Sequence, residues 1–536
     1  MALFSGFAET CEAIGVTRKK TEKVRLLAGY FKTLAAADGS TAAVFASGRA
    51  FAVAEERRLG VGGALLWKVL AGITGADGQT LGETYRKHGD IGGLAGELLA
   101  ARESQGQTLA EIAARLAELA EARGPSQKHP LLAVLLGRSS GLEAKYLLKI
   151  ISGDMRIGLQ ESLVEEAIAS CFNVPLADVH RANLFLGDIG QTLALAAEGR
   201  LAEARLRLFH PIGFMLASPA VDWSDALEEG KDALVEDKYD GIRAHLHKEG
   251  DRVALFSRTL DQITHQFPEI VPAALALPGS FLLDGEILAW RAGRALPFAA
   301  LQKRLGRKQP DAALQQAVPV AFAAFDLLYL DGEALFDAPL SERRRRLDQL
   351  LQSGRILASQ PREVRDLEEL EREFEAAQAR GNEGLMVKRL DSPYRAGSRG
   401  QAWLKIKKEL ATLDVVVTAV EYGHGKRRAV LSDYTFAVRD AEGRLLDIGK
   451  AFTGLTDKEI EEMTAFFLEH TLEDQGFRRR VEPVVVLEVA FNNIQKSDRH
   501  SSGYALRFPR IKRIRTDKSP GEIDTIATVE KLYAKQ

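Results

Sequence analysis

The chain has 536 residues, of which 46% are hydrophobic and 27% charged, and its formal net charge is −2. Because a single hydrophobic core stops growing at about 250–300 residues, this length predicts about three domains. No apolar run reaches the ~20 residues of a membrane-spanning helix, and the first residues lack a signal-peptide core. The two cysteines, Cys11 and Cys171, exclude a four-cysteine zinc site and argue against a disulfide framework, so we expect a protein of the reducing cytoplasm.

Residues 1–205 are expected to be all-helical, because Leu, Ala and Ile recur there at helical spacing. The predicted helices cover residues 22–36, 94–122, 131–151 and 159–172. Two segments share Gly-Asp-Ile-Gly before a helical run, so Asp90 and Asp188 are candidate N-caps. The exposed amides of such a helix start can hold a phosphate, but chemistry alone favours two ordinary helix starts.

A linker is predicted at residues 206–220, where Pro211 and Pro219 interrupt the helical pattern. Strands and helices then alternate up to residue 408, which predicts an α+β catalytic domain. Its predicted strands are 253–258, 280–290 and 320–332, and its predicted helices are 342–351 and 364–380. Beyond it, predicted strands at 414–423, 433–440 and 484–491 and a helix at 459–472 indicate a small β-barrel.

The segment Lys-Tyr-Asp-Gly-Ile-Arg at 238–243 is the first candidate for chemistry, because it presents a lysine directly after the apolar, acid-ended run 233–237. A lysine at a strand end can attack a nucleotide α-phosphate if its amine loses a proton and cations surround the phosphate. Asp-Gly is also a strong signal for a β-hairpin turn. On this segment alone the two interpretations carry equal weight.

Two apolar strands could supply a carboxylate and a stacking surface. Glu286 lies inside 281–290 and could face a nucleotide, although Asp284-Gly285 could instead mark a strand-edge turn. Phe325 can stack on a purine, but a core aromatic is the commoner situation for such a residue.

Two later segments place charged side chains on short strands. Lys405 and Lys407 alternate with apolar residues and therefore share one face, either as a phosphate clamp or as a solvated edge strand. Glu383 and Lys388 are five positions apart and face opposite sides unless a bulge or a strand end redirects one of them.

Six segments in this order resemble the ordered motifs of ATP-dependent DNA ligases, within the covalent nucleotidyltransferase superfamily. They are KYDGIR (238–243), FLLDGEILAW (281–290), AAFDLLYLDG (323–332), EGLMVK (383–388), WLKIKK (403–408) and LRFPRIKRIRTDK (506–518). The resemblance implies a helical DNA-binding domain at 1–205, an α+β nucleotidyltransferase (adenylation) domain at 206–408 and an OB-fold β-barrel at 409–536.

The resemblance also implies a role for each matching residue. Lys238 would be the adenylated nucleophile, and Glu236 would read the adenine amino group. The other residues expected at the nucleotide are Arg243, Arg258, Glu286, Phe325, Lys405, Lys407, Arg510 and Lys518, with Arg507 in the same segment as the last two. Glu286 and Glu383 would hold Mg²⁺ or another divalent cation. The residues expected to contact DNA are Asp90, Gly92, Asp188, Gly190 and Arg156.

The implied reaction has three steps: Lys238 takes AMP from ATP, AMP passes to the 5′-phosphate at a nick in duplex DNA, and the 3′-hydroxyl seals the strand. We expect a monomer that acts without a membrane, in DNA repair, replication or recombination. An RNA ligase or an mRNA-capping guanylyltransferase would share the lysine and the clamp, and a non-catalytic DNA-binding scaffold is the alternative outside the enzymes. The arginine run 343–346 is expected to be a solvated helix face.

Overall fold

A computed structural model describes the chain except for residues 56, 221–232, 306, 308, 352–354, 408–410, 424–426 and 535–536. The chain divides into two compact units, one made of 1–81 and 94–408 and the other of 82–93 and 409–536. The predicted domain boundary at 408–409 lies outside the described residues. None of the helices in the described part is long and apolar enough to cross a membrane.

The first 205 residues are helical, as predicted. The helices are α1 (Phe4–Val16), α2 (Lys20–Lys32), α3 (Ala36–Ala46), α4 (Gly63–Thr74), α5 (Gly78–His88), α6 (Ile91–Leu98), α7 (Leu109–Glu121), α8 (Gly124–Gly137), α9 (Gly141–Ser152), α10 (Glu161–Phe172), α11 (Leu176–Leu186) and α12 (Ile189–Ala197). The predictions of single helices over 94–122 and 131–151 were wrong, because each of these ranges spans two shorter helices. The reason is local capping, because Thr108 and Ser140 each form a capping box that starts a new helix.

The catalytic region contains two sheets, as an α+β domain requires. Its strands are β1 (Leu216–Pro219), β2 (Ala233–Lys238), β3 (Ile242–Glu249), β4 (Arg252–Ser257), β5 (Phe281–Arg291), β6 (Arg294–Ala295), β7 (Val320–Leu330), β8 (Glu333–Ala334), β9 (Ile356–Ala358), β10 (Gly384–Arg389) and β11 (Arg399–Lys407). Its helices are α13 (Ile270–Leu275), α14 (Phe298–Gln302), α15 (Ala312–Ala317), α16 (Leu340–Leu350) and α17 (Leu367–Ala379).

The smaller sheet has four strands in the order β1-β11-β10-β2, and the larger has seven, with the path β4-β3-β5-β7-β8 and with β6 and β9 beside β5 and β7. The main apolar core of this region lies against the larger sheet and includes Leu246, Phe281, Phe322 and Leu347, which are fully buried. A second core packs α17 against the smaller sheet through Leu370 and Leu385.

The segment 238–243 connects the two sheets. Lys238 ends β2 in the smaller sheet, and Ile242 begins β3 in the larger one. The hairpin interpretation of Asp-Gly is therefore wrong, because β2 pairs with β10 whereas β3 pairs with β4 and β5. The strand-edge turn considered for Asp284-Gly285 is also wrong, because both residues lie inside the continuous strand β5.

The C-terminal unit is rich in strands, as predicted. Its elements are β12 (Thr412–Tyr422), β13 (Leu431–Arg439), β14 (Leu445–Ala451), α18 (Asp457–Glu469), β15 (Thr471–Asp474), β16 (Arg478–Val481), β17 (Val486–Ala490), β18 (Asn493–Lys496), β19 (Tyr504–Arg507), β20 (Arg510–Ile514) and α19 (Ile526–Ala534). The long strand β12 pairs with β13 on one side and with β16 and β17 in succession on the other. One strand that serves several neighbours along its length is typical of a sheet that curls toward a barrel.

Candidate active site

A cavity of about 520 Å³ opens in the catalytic region and is lined by residues of both sheets. The lining residues that carry charge are Glu236, Asp237, Lys238, Asp240, Arg243, Arg258, Glu286, Glu383, Lys388, Arg399, Lys405 and Lys407. Three aromatic side chains, Tyr239, Phe325 and Trp403, also line it. The cavity therefore combines a cationic region, several carboxylates and an aromatic surface.

The pairing of three strands explains how these side chains come together. Across β2, β10 and β11, the paired rows are Lys238–Gly384–Lys407, Glu236–Met386–Lys405 and Leu234–Lys388–Trp403. Alternate residues of a strand point to the same face, so the side chains of these three rows share one face of the smaller sheet. The prediction that Lys405 and Lys407 share a face is confirmed. The edge-strand alternative is wrong, because β11 lies between β1 and β10.

Glu383 forms the electrostatic centre at the end of β2. Its Oε2 lies 2.5 Å from the Nζ of Lys238 and 2.5 Å from the Nζ of Lys407. Burial opposes ionisation, but Lys238 and then Lys407 lower the pKa of the Glu383 carboxyl. Glu383 and Lys388 both line the cavity, because Gly384 between them takes a φ of 146°, where a Cβ would lie 2.1 Å from the carbonyl oxygen of Ile406.

Two other carboxyl groups of the cavity have raised pKa values. Burial raises the pKa of Glu286 to about 8 against the opposing charges of Lys238 and Arg243, and Asp284 and Glu383 add to the shift. Burial, followed by the neighbouring charge of Glu383, also raises the pKa of Asp240. Among the cations, burial and then the proximity of Lys407 lower the pKa of Lys405. Carboxyl groups with raised pKa values in a cleft are typical of a functional site.

A buried hydrogen-bond network fixes Arg243. Its Nε and Nη2 donate to the two carboxylate oxygens of Asp284, at 3.0 and 2.6 Å. The hydroxyl of Tyr394 donates to Asp284 Oδ2 at 2.7 Å and accepts from the backbone N–H of Met215 at 3.0 Å. Burial, together with Asp284, raises the pKa of Tyr394 well above its ordinary value, so this hydroxyl keeps its proton. The guanidinium of Arg243 is thereby held against the rings of Phe325 and Trp403, 5.3 and 5.5 Å from their centroids.

The aromatic end of the cavity also contains the charged pair Lys388 and Glu236. Phe325 and Trp403 meet edge to face, with centroids 6.1 Å apart, and the Nζ of Lys388 lies 4.2 Å from the first and 4.4 Å from the second. Lys388 donates to Glu236 Oε2 at 2.5 Å. Phe325 is only half-buried, so it offers a surface to the cavity rather than serving the core alone.

The arginine run of α16 was misread from the sequence. Arg343 is fully buried and forms a two-point ion pair with the buried Asp326, at 2.7 and 2.9 Å. Arg344 is also buried and donates to Glu236 Oε1 at 3.0 Å. Only Arg345 and Arg346 fit the predicted solvated face, and both pair with Glu342 on the same helix. Helical periodicity could have exposed the error, because Arg343 and Arg344 flank the buried side of α16.

The structure brings together nine predicted residues at one cavity: Glu236, Lys238, Arg243, Arg258, Glu286, Phe325, Glu383, Lys405 and Lys407. Sequence reasoning missed Tyr394 and Arg344, and it missed Asp284 as the partner of Arg243. Asp284 lies in a strand that the sequence singled out, whereas Tyr394 and Arg344 lie outside the six motif segments.

Two predicted nucleotide residues, Arg510 and Lys518, belong to the C-terminal unit. There Lys518 donates to Asp414 Oδ2 at 2.6 Å, and Arg515 contacts the same carboxylate at 3.0 Å. Arg510 is exposed at the start of β20. Arg507 lies beside the exposed ring of Phe508, 4.9 Å from its centroid.

Four of the five predicted DNA residues lie at helix starts, and Arg156 lies between α9 and α10. Asp188 caps α12 by accepting from the N–H of Gln191 at 2.9 Å, and Asp90 accepts from the N–H of Gly93 at 2.8 Å, so both N-cap predictions are confirmed. Gly92 and Gly190 are buried. Arg156 is exposed and donates to Asp154 at 2.6 Å.

The residues of the cavity fit a divalent cation that is shared with a ligand. The described part of the chain contains no group of three or more His, Cys, Asp or Glu side chains that could hold a metal ion. Magnesium, however, commonly uses one or two carboxylates and completes its shell with water and phosphate oxygens. Glu286 supplies such a carboxylate: burial raises the pKa of its carboxyl group, and a bound cation would favour the ionised form.

Comparisons with known proteins agree along the whole chain. Residues 3–200 match the family described as "DNA ligase N terminus", residues 214–407 match "ATP dependent DNA ligase domain" and residues 427–518 match "ATP dependent DNA ligase C terminal region". A "Probable DNA ligase" of Koribacter versatilis is 51% identical over 555 residues, which cover 99% of this chain and 96% of that protein. A "DNA ligase" of Archaeoglobus fulgidus is 34% identical, covering 100% of this chain and 99% of that protein. The solved structure named "Pmar-Lig_PreS3" has the same fold, with a TM-score of 0.60 at 16% identity over 95% of this chain and 99% of that one.

Proposed function

This chain belongs to the ATP-dependent DNA ligase family, and we propose that Lys238 is the residue that carries AMP while the enzyme seals nicks in duplex DNA. The observation that carries this proposal is the placement of Lys238 at the end of β2, 2.5 Å from Glu383 and on the same cavity face as Lys405 and Lys407. A lysine that is oriented by a carboxylate and faces a cationic cavity suits nucleophilic attack on phosphorus.

In the first step the Lys238 nitrogen forms a bond to the α-phosphorus of ATP, and the bond from phosphorus to pyrophosphate breaks. The nitrogen must lose its proton to solvent before it attacks, and Glu383 Oε2, which is in contact with it, orients it. Lys405 and Lys407 neutralise the phosphate oxygens, so that charge developing in the transition state meets fixed cations. Phe325 would stack on the adenine, and Arg243 and Arg258, which line the same cavity, would contact the ribose and phosphate groups.

Mg²⁺ or another divalent cation would be held by Glu286 and Glu383 together with phosphate oxygens, and it would neutralise charge on the pyrophosphate group. For Arg510 and Lys518 we propose contacts with the pyrophosphate. Lys518 must then leave Asp414, its partner within the C-terminal unit.

In the second and third steps AMP moves from Lys238 to the DNA 5′-phosphate, and the 3′-hydroxyl then displaces AMP. Each step is an in-line displacement at phosphorus, so positioning and charge neutralisation dominate the catalysis. We propose that the protein acts as a monomer and that the helical region binds the duplex backbone, with the helix starts at Asp90 and Asp188, the adjacent Gly92 and Gly190, and Arg156 near phosphates.

The proposal is tested with labelled ATP and a nicked duplex. Wild-type protein is expected to form a covalent protein–AMP band and to seal the nick, and Lys238→Ala is expected to lose both activities while remaining folded. Lys303→Ala removes an exposed lysine of the same domain and should retain both. Sealing by the Lys238→Ala variant would refute the nucleophile, and labelling by GTP but not by ATP would indicate a capping enzyme instead.

A further inference from the structure

The charge cluster behind Glu236 joins β2, β10, α16 and the segment after β9. Its members are Glu236 of β2, Lys388 of β10, Arg344 and Asp348 of α16, and Ser359. Glu236 Oε1 accepts from Arg344 Nη1 at 3.0 Å and from the hydroxyl of Ser359 at 2.6 Å, while Oε2 accepts from Lys388 at 2.5 Å. Arg344 also donates to the Ser359 hydroxyl at 2.6 Å and to Asp348 at 3.0 Å. The side chains of Glu236, Arg344 and Lys388 are 3%, 8% and 2% exposed, so water does not replace these partners.

The fold holds this cluster rigidly. Ser359 follows β9, and its N–H donates to the carbonyl of Ala324, the residue before Phe325. The backbone of Val235 exchanges two hydrogen bonds with Arg362, at 3.0 and 2.8 Å, which ties β2 to the segment that carries Ser359. Glu236 therefore cannot rotate away from the cavity without breaking a network that is anchored on two strands.

We propose that Arg344 is a positioning residue for nucleotide selection: with Ser359 and Lys388, it holds the Glu236 carboxylate in place as a hydrogen-bond acceptor that admits a base with an amino group at position 6 and rejects one with a carbonyl there. This inference rests on the proposed function, because it places the base of ATP beside Glu236 and Phe325.

The chemistry follows from counting lone pairs. An ionised carboxylate can accept about four hydrogen bonds, and three of the four places on Glu236 are taken. The remaining place, on Oε2, can accept one N–H from an amino group. A base with a carbonyl at position 6 would set two acceptors against each other. The donors Arg344 and Lys388 hold the Glu236 carboxylate in its accepting role.

The charges of the cluster balance without a ligand. Glu236 and Asp348 oppose Arg344 and Lys388, so the carboxylate needs no further cation and is free to serve as a reader. A site built to hydrogen-bond one polar group of a substrate rejects an analogue that lacks it more strongly than an apolar pocket can. The discrimination would therefore depend on Arg344, although its guanidinium need not touch the base.

The test compares ATP with inosine triphosphate, which carries a carbonyl at position 6 and adds no group at position 2. The measured quantity is the ratio of kcat/KM for covalent enzyme–nucleotide formation with the two nucleotides. Wild-type protein is expected to prefer ATP by at least ~100-fold, and Arg344→Met to reduce this ratio at least ~10-fold. The matched control is Arg345→Met, the next residue of α16, which is 56% exposed and should stay within ~2-fold of wild type.

A purely structural role for Arg344 predicts that both nucleotides react more slowly and that their ratio is unchanged; that result would overturn the inference. If thermal melting shows that Arg344→Met does not fold, Ser359→Ala decides, because it removes one bond to Glu236 and should lower the ratio by ~3- to 10-fold. Equal labelling of wild type by both nucleotides would refute the selection but leave Lys238 as the nucleophile. Absence of any labelling of the wild type by ATP would instead refute the proposed function, and the inference with it.

Discussion

The hydroxyl of Tyr394 provides the sharpest test of how the site is stabilised. It donates to Asp284 at 2.7 Å, accepts from the Met215 N–H at 3.0 Å and lies 3.3 Å from Nε2 of His245. Substituting Tyr394 by phenylalanine removes this oxygen alone. The ring contacts with Phe336 and others are retained, since they involve ring carbons, with centroids 5.8 Å apart.

The expected cost is worked from two of the three lost hydrogen bonds, those with Asp284 and Met215. A hydrogen bond to a charged group contributes about 1.5–3 kcal/mol, and leaving the buried Met215 N–H unsatisfied costs about 1–3 kcal/mol more. Since these terms overlap, we expect Tyr394→Phe to lower the free energy of unfolding by about 2–5 kcal/mol. For a domain of this size that corresponds to a fall in Tm of roughly 5–15 °C.

Calorimetry is the appropriate assay, because it resolves the transitions of separate domains that a single unfolding curve would merge. The matched control is Tyr329→Phe in the same core cluster, whose hydroxyl makes no hydrogen bond to any residue that the structure describes. Its Tm should change by less than ~2 °C. Equal Tm changes for the two variants would refute the reasoning that the Tyr394 hydroxyl stabilises Asp284.

Three further predictions concern charge and packing. The raised pKa of Glu286, about 8 against 4.5, means that the folded, metal-free protein binds a proton at this carboxyl group more tightly than the unfolded chain does. Its free energy of unfolding should therefore fall by about 5 kcal/mol as pH rises from about 4.5 to about 8. Glu286→Gln should remove this fall in melting curves across that range, and an unchanged fall would contradict the prediction. Asp414→Asn should lower the free energy of unfolding of the C-terminal unit by about 1–3 kcal/mol, measured as a lower Tm, because it removes the charge that pairs with Lys518. An unchanged Tm would show that the Asp414–Lys518 pair does not stabilise this unit. Gly285→Ala should lower the free energy of unfolding in urea by about 1–3 kcal/mol, since its Cβ would lie 2.5 Å from the ring of Phe322. A urea midpoint equal to that of the wild type would mean that β5 can shift to make room.

The parts of the site that the sequence predicted are those that depend on strand periodicity. The shared face of Lys405 and Lys407 followed from alternation along one strand, and the structure confirms it. The relation of Glu383 to Lys388 could not be predicted, because it depends on the unusual φ of Gly384, which a sequence does not reveal.

The parts that the sequence left out depend on tertiary contacts. Arg344 looked like one member of a charged helix surface, and only the packing of α16 behind β2 shows that it is buried against Glu236. Tyr394 lies 110 positions from Asp284 along the chain, and no local pattern links them. Helix ends were misjudged for the opposite reason: caps at Thr108 and Ser140 are local signals that the broad apolar periodicity concealed.

The register of β2, β10 and β11 decides which of their side chains face the cavity. Deleting or inserting one residue within any of these strands would reverse the face of every side chain beyond the change, and would turn the lysines toward the core formed with α17. Length variation between related chains is therefore expected in the segments that join these strands and not within them. Deleting a single residue in β2 would remove Glu236 and Lys238 from the cavity together.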